Sequence, residues 1–326
     1  MKSKMPNMFA DHFYFKKILL AACVLSALNG MNAVAADVIA LPSMQEYKQV
    51  SSVGKVAWQL DIDNDSLLMN KDDGFYTSGN RIGQTVTSAS ATQSTSYGWR
   101  IGQDLYTASD IKLQPSQLSR LDHPYAAWLY AGIFRDSTDV TGRSFFLGLD
   151  VGCLGPCAGG EWAQTNLHRL IQQPLPQGWD SQLRNEWGVI VSAEASPGRL
   201  LPLSGVDIAP KLKLHLGNIQ TDVSAELLVR AGRLNTLPVH AASYVYLRTE
   251  LKAVAYNATI QGGYFHQPVQ PLHVKNGVGE LELGYLWKGE QYGVSASVIR
   301  RSNEIKELSN GIGAQNFARL QFIYVM

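Results

Sequence analysis

Four short stretches of this chain carry side chains that could do chemistry. Asp61-Ile62-Asp63-Asn64-Asp65 gathers hard oxygen donors of the kind calcium takes. It lacks the spacing of a calcium-binding loop, and a solvated acidic loop is the competing reading. Tyr76-Thr77-Ser78-Gly79-Asn80 offers the Thr77 hydroxyl, able to hold a water or polarise a carbonyl, though strand propensity alone also accounts for it. Gln103-Asp104-Leu105-Tyr106-Thr107 leads into a loop with Lys112, a cation suited to lipid phosphates or simply solvated. Gly155-Pro156-Cys157-Ala158-Gly159-Gly160-Glu161 precedes Gln164 and His168, which stand four apart and so share one face of a helix. A packed wall on one side and polar partners on the other would tune His168 as a general base near neutrality. No Gly-x-Ser-x-Gly elbow occurs, and no serine has a sequence-level reason to be a nucleophile.

The elements that must position these residues are strands. Val245, Leu247, Leu251 and Ala253 alternate with Tyr246, Arg248, Glu250 and Lys252, and the same period of two recurs along the chain. It marks twelve segments, at roughly 56–63, 76–88, 97–106, 125–138, 142–153, 186–198, 206–217, 221–232, 243–257, 278–288, 290–302 and 315–326. Many match the ~9–11 residues of a tilted transmembrane strand better than the ~5–6 of a soluble sheet. With one charged and one apolar face each, they predict an all-β fold, a twelve-stranded antiparallel transmembrane barrel with a polar interior. A secreted β-sandwich is the alternative. In the last strand Ala318, Leu320, Phe322, Tyr324 and Met326 share the outward face.

If the chain enters from the periplasm, the connections 64–75, 107–124, 154–185, 218–220, 258–277 and 303–314 lie outside and bring the four stretches to one rim. Trp58, Leu60 and Ile62 then face outward. Gln59, Asp61, Asp63 and Asp65 face inward, as do Thr77, Arg81, Gly83 and Thr85. A helix from about Glu161 to Gln172 is expected in the longest outer loop, with Trp162, Leu167, Leu170 and Ile171 against the wall.

Composition agrees. The 326 residues are 45% hydrophobic but only 17% charged, and 28 Lys+Arg against 27 Asp+Glu leave no basic excess for a nucleic acid. Lys16-Lys17, the apolar run Ile18 to Leu28 and Ala33-Val34-Ala35-Ala36 read as a signal peptide over 1–36, followed by an N-terminal segment 37–55 and a barrel 56–326. A lipoprotein site at Leu20-Ala21-Ala22-Cys23 competes, but five apolar residues between Lys17 and Cys23 make a short hydrophobic region. No later run approaches the ~18 apolar residues of a spanning helix. Cys153 and Cys157, exported, are either a local disulfide or two thiols in a loop.

In order, Asp63-Asn64-Asp65, Tyr76-Thr77-Ser78-Gly79, Gln103-Asp104-Leu105-Tyr106, Pro124-Tyr125-Ala126-Ala127-Trp128-Leu129-Tyr130, Gly155 to Gly160, Gln164, His168 and Gly178-Trp179-Asp180-Ser181-Gln182-Leu183 resemble the outer-membrane lipid A 3-O-deacylase family over residues 56 to 190. The resemblance implies a monomeric outer-membrane barrel that uses calcium to remove the acyl group esterified at the 3′ position of lipid A in lipopolysaccharide. By motif, His168 matches the family's general base, Asn64 and Asp65 its Asn-Asp pair with Asp65 near the metal, and Thr77 its Tyr-Thr threonine. Gln164 matches the helix glutamine, and Lys112 lies in the loop that carries a functional lysine. The sequence departs at Cys153, Cys157, Met326 and at Ala127, where glycine is expected. A non-catalytic channel or adhesin and an outer-membrane phospholipase with a Ser-His-Asn arrangement are the other functions such a barrel could have.

Overall fold

The structure, a computed structural model, describes residues 38–68, 74–265 and 272–326, so the leader read at 1–36 lies outside it. The two-residue alternation becomes twelve strands: β1 (Lys55–Asn64), β2 (Phe75–Ala89), β3 (Gln93–Thr107), β4 (Ala126–Asp139), β5 (Arg143–Leu154), β6 (Glu186–Pro197), β7 (Val206–Gly217), β8 (Gln220–Arg233), β9 (Ala242–Asn257), β10 (Gly277–Lys288), β11 (Tyr292–Arg301) and β12 (Gln315–Val325). Each pairs antiparallel with its chain neighbours, and β1 pairs with β12, closing the barrel. The Met326 amide donates to the Val56 carbonyl at 2.8 Å, so the last residue joins the seam.

One end carries the connections 90–92, 140–142, 198–205, 234–241 and 289–291; the other carries 65–74, 108–125, 155–185, 258–276 and 302–314, with one short turn at 218–219. That asymmetry is the one expected of an outer-membrane barrel, with the long connections facing the cell exterior. Outward positions are apolar and exposed, among them Ile82, Ile101, Ile133, Val151, Leu251 and Leu283. Tyr285, Trp287, Tyr292 and Tyr324 mark the short-turn end of this band and Trp187 the other, as aromatic girdles do.

Inside, charges neutralise one another. Arg319 grips Asp63 through two bonds of 2.7 and 2.8 Å, Arg81 bridges Asp63 to Asp104, and Arg100 holds Asp150. Arg248 is shared by Glu226, Glu250, Glu280 and Glu282. These bonds cross-link the lumen between strands.

Four α-helices stand among the described residues: α1 (Met44–Val53), α2 (Gly160–Leu170), α3 (Ala258–Gln261) and α4 (Asn310–Gly313). The first lies in the N-terminal segment 37–55, for which the sequence predicts no element. Its N-cap Ser43 accepts the Glu46 amide at 3.1 Å. It rests on the outer face of the wall, where Glu46 receives two bonds of 2.8 Å from Arg135, a buried guanidinium on the lipid-facing side of β4. Tyr97 of β3 also donates to that carboxylate.

Candidate active site

The long loop after β5 brings α2 back over the outside of the barrel. Cys153 and Cys157 form a disulfide across the turn out of β5, which settles the question the sequence left open. Gly159 takes a left-handed conformation, φ 68°, that allows the chain to double back into α2. Gly160 is required for a different reason: a Cβ there would stand 2.5 Å from the Ala127 methyl of β4. The close approach of helix to wall is thus made by Gly160, which tolerates the alanine at 127. Leu105, Ala108, Tyr125, Ala127, Ala158 and Trp179 pack into the seam, and Gln103 Nε2 donates to the Ala158 carbonyl at 2.7 Å.

The helix is turned the other way round from the expectation. Gln164 and His168 are buried against the wall, whereas Trp162 is 74% and Leu170 80% exposed, with Leu167 and Ile171 beside them on the open side. The physical reason is the medium. A helix on the flank of a barrel in a bilayer turns its apolar stripe to hydrocarbon and hides its polar stripe.

The hidden stripe is held by two partners that sequence reasoning missed. His168 Nδ1 lies 2.6 Å from the Pro174 carbonyl. A carbonyl only accepts, so Nδ1 carries the proton and the ring lone pair is on Nε2. Trp179 Nε1 lies 2.9 Å from Gln164 Oε1, and indole only donates, so the orientation of the amide follows. Gln164 Nε2 then points elsewhere and has no hydrogen-bond partner among the described residues, although it is buried. Trp179 belongs to the Gly178–Leu183 stretch of the family resemblance; nothing in the spacing marks Pro174.

The remaining candidates lie at the same rim. Asn64 ends β1, and its Oδ1 accepts the Ser66 amide at 2.8 Å, a local turn that shapes the chain around Asp65. Asp65 is buried just beyond the strand, takes the Gly74 amide at 3.2 Å on Oδ2 and donates its own amide to the Thr77 carbonyl. Thr77 does not follow the inward alternation expected for it. A bulge between Tyr76 and Ser78 breaks the register, and the Thr77 hydroxyl meets that of Thr107 at 2.7 Å. Thr107 shares parity with Gln103 and Leu105 on the outer face of β3, the side on which α2 lies. Lys112 stays exposed in a loop tied to the segment after α2, where the Gln177 amide donates to the Ile111 carbonyl at 2.8 Å. His123 is separate: it stacks on Tyr106, and burial holds its imidazole below the usual range, against the opposing pull of the Pro124 carbonyl.

For a cation, this corner offers hard oxygens: the Asp65 carboxylate with the Ser66 hydroxyl beside it, and the paired hydroxyls of Thr77 and Thr107, Thr77 being tied to Asp65 through its backbone carbonyl. They suit calcium in type. Among the described residues no group of three or more His, Cys, Asp or Glu gathers to hold a metal, so further ligands would be neutral oxygens.

The fold and this flank define a twelve-stranded outer-membrane barrel with a polar seam buried beneath a lipid-facing helix. The chain belongs to the family described as Outer membrane protein LpxR, whose model matches residues 19–326. Among solved structures it is similar to LpxR from Salmonella typhimurium, with 19% identity over 82% of this chain and 99% of that one and a TM-score of 0.68. The beta domain of the Bordetella autotransporter BrkA matches at 12% identity over 83% and 98%, with a TM-score of 0.45. No curated protein matches the chain.

Proposed function

We infer that this protein is a monomeric, calcium-dependent esterase that removes the 3′-linked acyloxyacyl group from lipid A of lipopolysaccharide in the outer leaflet. The observation that carries the reading is the inverted helix: an imidazole and an amide hidden on the wall side of an element whose other side faces lipid. A soluble substrate needs no such arrangement, whereas a lipid ester reaches it laterally.

In this reading His168 Nε2 takes a proton from a water as the water oxygen bonds to the ester carbonyl carbon. Collapse of the tetrahedral intermediate breaks the bond to the sugar oxygen, which recovers the proton from the imidazolium. The Gln164 amide, oriented by Trp179, donates to the carbonyl oxygen as charge develops there, a contribution of about 3–4 kcal/mol for one well-placed donor. Asp65, with the Thr77 hydroxyl, would hold a calcium ion that supplies positive charge to polarise the ester. Asn64 shapes that corner, and Lys112 meets a lipid phosphate.

The test is mass spectrometry of lipid A from cells with and without the protein, repeated with a calcium chelator. Loss of one acyloxyacyl unit, restored by calcium, supports the reading. Unchanged lipid A with the barrel folded in the membrane overturns it. Release of lysophospholipid would instead make the seam a phospholipase. A channel is disfavoured by the cross-linked lumen.

A further inference from the structure

Below the site, at the opposite end of the same wall, α1 does not lie flush. Between it and the outer faces of β2 to β6 runs a groove of about 720 Å³. Its lining includes Met44 and Tyr47 from the helix and Trp99, Ile133, Leu147 and Leu149 from the strands. Ile133 and Leu149 stand on the lipid-facing side of their strands, with Ile133 65% exposed, so the medium that fills the groove is hydrocarbon rather than water.

Depth decides which leaflet. Tyr97 and Arg135, at the margin of the groove, are each four residues from the short-turn ends of their strands, Gln93 and Asp139. That is roughly 13 Å along a strand at ~3.3 Å per residue, and less along the membrane normal because strands tilt. In a hydrocarbon core of ~30 Å the groove therefore lies in the periplasmic half.

Charge decides the headgroup. From Leu41 to Lys55 the charged residues are Glu46, Lys48 and Lys55. Glu46 is neutralised by Arg135, which leaves two exposed lysines. Lys48 follows Met44, which lines the groove, by one turn of the helix.

We propose that α1 and the wall form a binding site for a glycerophospholipid of the periplasmic leaflet, one acyl chain lying in the groove and the phosphate beside Lys48. The site is independent of the hydrolytic reading and stands whether or not the seam under α2 is active.

The experiment is native mass spectrometry of the full chain, purified in detergent and incubated with phosphatidylglycerol. The unaltered protein retains one lipid through gentle activation. Leu149→Trp, which fills the groove, lowers retention about tenfold, the effect of losing ~1.4 kcal/mol of binding. Lys48→Glu lowers it severalfold, and Leu251→Trp, on the lipid face of β9 away from the groove, leaves it unchanged. A heat-sensitive shift in electrophoretic mobility confirms a folded barrel for each variant. Equal retention by the unaltered protein and the folded Leu149→Trp and Lys48→Glu variants, or equal loss in Leu251→Trp, overturns the proposal and leaves only annular lipid.

Discussion

The two longer helices lie on the outside of one wall, α1 toward the periplasm and α2 toward the exterior, and both turn polar side chains toward that wall. They differ in what the polar groups meet. Glu46 of α1 is closed off by Arg135 and Tyr97, charge against charge. The α2 stripe is neutral, with His168 Nδ1 on the Pro174 carbonyl, Gln164 Oε1 on the Trp179 indole, and Gln164 Nε2 buried without a hydrogen bond among the described residues. A fully paired stripe anchors a helix. An amide fixed at one end only is oriented but unsatisfied, at a cost of about 1–3 kcal/mol for a buried donor, and such a donor is free to bond another molecule.

The strongest way to break the comparison is to remove the groups proposed to make α2 a site. His168→Ala is expected to lower lipid A hydrolysis by about 100- to 10,000-fold, the range of a lost general base, while heat-modifiable mobility stays normal. If activity survives, the two helices differ only in polarity, and neither is a site of hydrolysis.

The complementary change is Glu46→Ala, which strips the carboxylate from a guanidinium on the lipid side of β4. The expected loss, read from urea unfolding in lipid vesicles, lies between the ~1 kcal/mol of an interfacial charge and the ~4 kcal/mol of one at mid-membrane. Removing both partners, Glu46→Ala with Arg135→Leu, should recover most of it. Protons should act in the same direction. Hydrogen bonds from Arg135 hold the Glu46 carboxyl below the usual glutamate range. Its contribution is therefore complete above the ordinary glutamate value and is lost as pH falls through the depressed one. Limited proteolysis after residue 54 should accelerate only in acid, and in the double variant it should not respond to pH at all.

The strands were legible because period two runs through most of their length, and the predicted ends of β6 and β7 fall within one residue of the observed ones. Gln164 and His168 were legible as a pair because helical spacing is. Which way α2 turned was not, since periodicity gives the angle of an apolar stripe but not whether lipid or protein lies against it. Thr77 was misplaced by its bulge, a one-residue insertion that leaves no mark in composition. α1 escaped notice because Gln45, Lys48, Gln49, Ser51 and Ser52 give it a mostly polar surface and its anchor is 89 positions away. Pro174 and Trp179 act from irregular segments, where no period applies.

Smaller effects sharpen the contrast by asking what holds each helix in place. α1 depends on its ion pair, whereas the entry to α2 is tied by the Cys153–Cys157 disulfide across four positions. So short a loop restrains the unfolded chain by only about 2 kcal/mol in the loop-entropy model. Cys153→Ser should raise hydrogen exchange in the turn before α2 and leave α1 unchanged.

The finest test concerns orientation alone. Trp179→Phe keeps an aromatic ring packed on Tyr125 but removes the indole N–H that fixes the Gln164 amide. With that bond lost the amide can flip, and its donors point at the reacting oxygen only part of the time. The turnover number should then fall about tenfold, equivalent to ~1.4 kcal/mol of barrel-side stabilisation of the transition state, with KM nearly unchanged. A merely structural tryptophan would lower thermal stability and the amount of folded barrel without altering kcat per folded molecule. Gln164→Ala supplies the check: if Trp179 acts through that amide, the double variant is no slower than Gln164→Ala alone, because two substitutions that remove one interaction do not add.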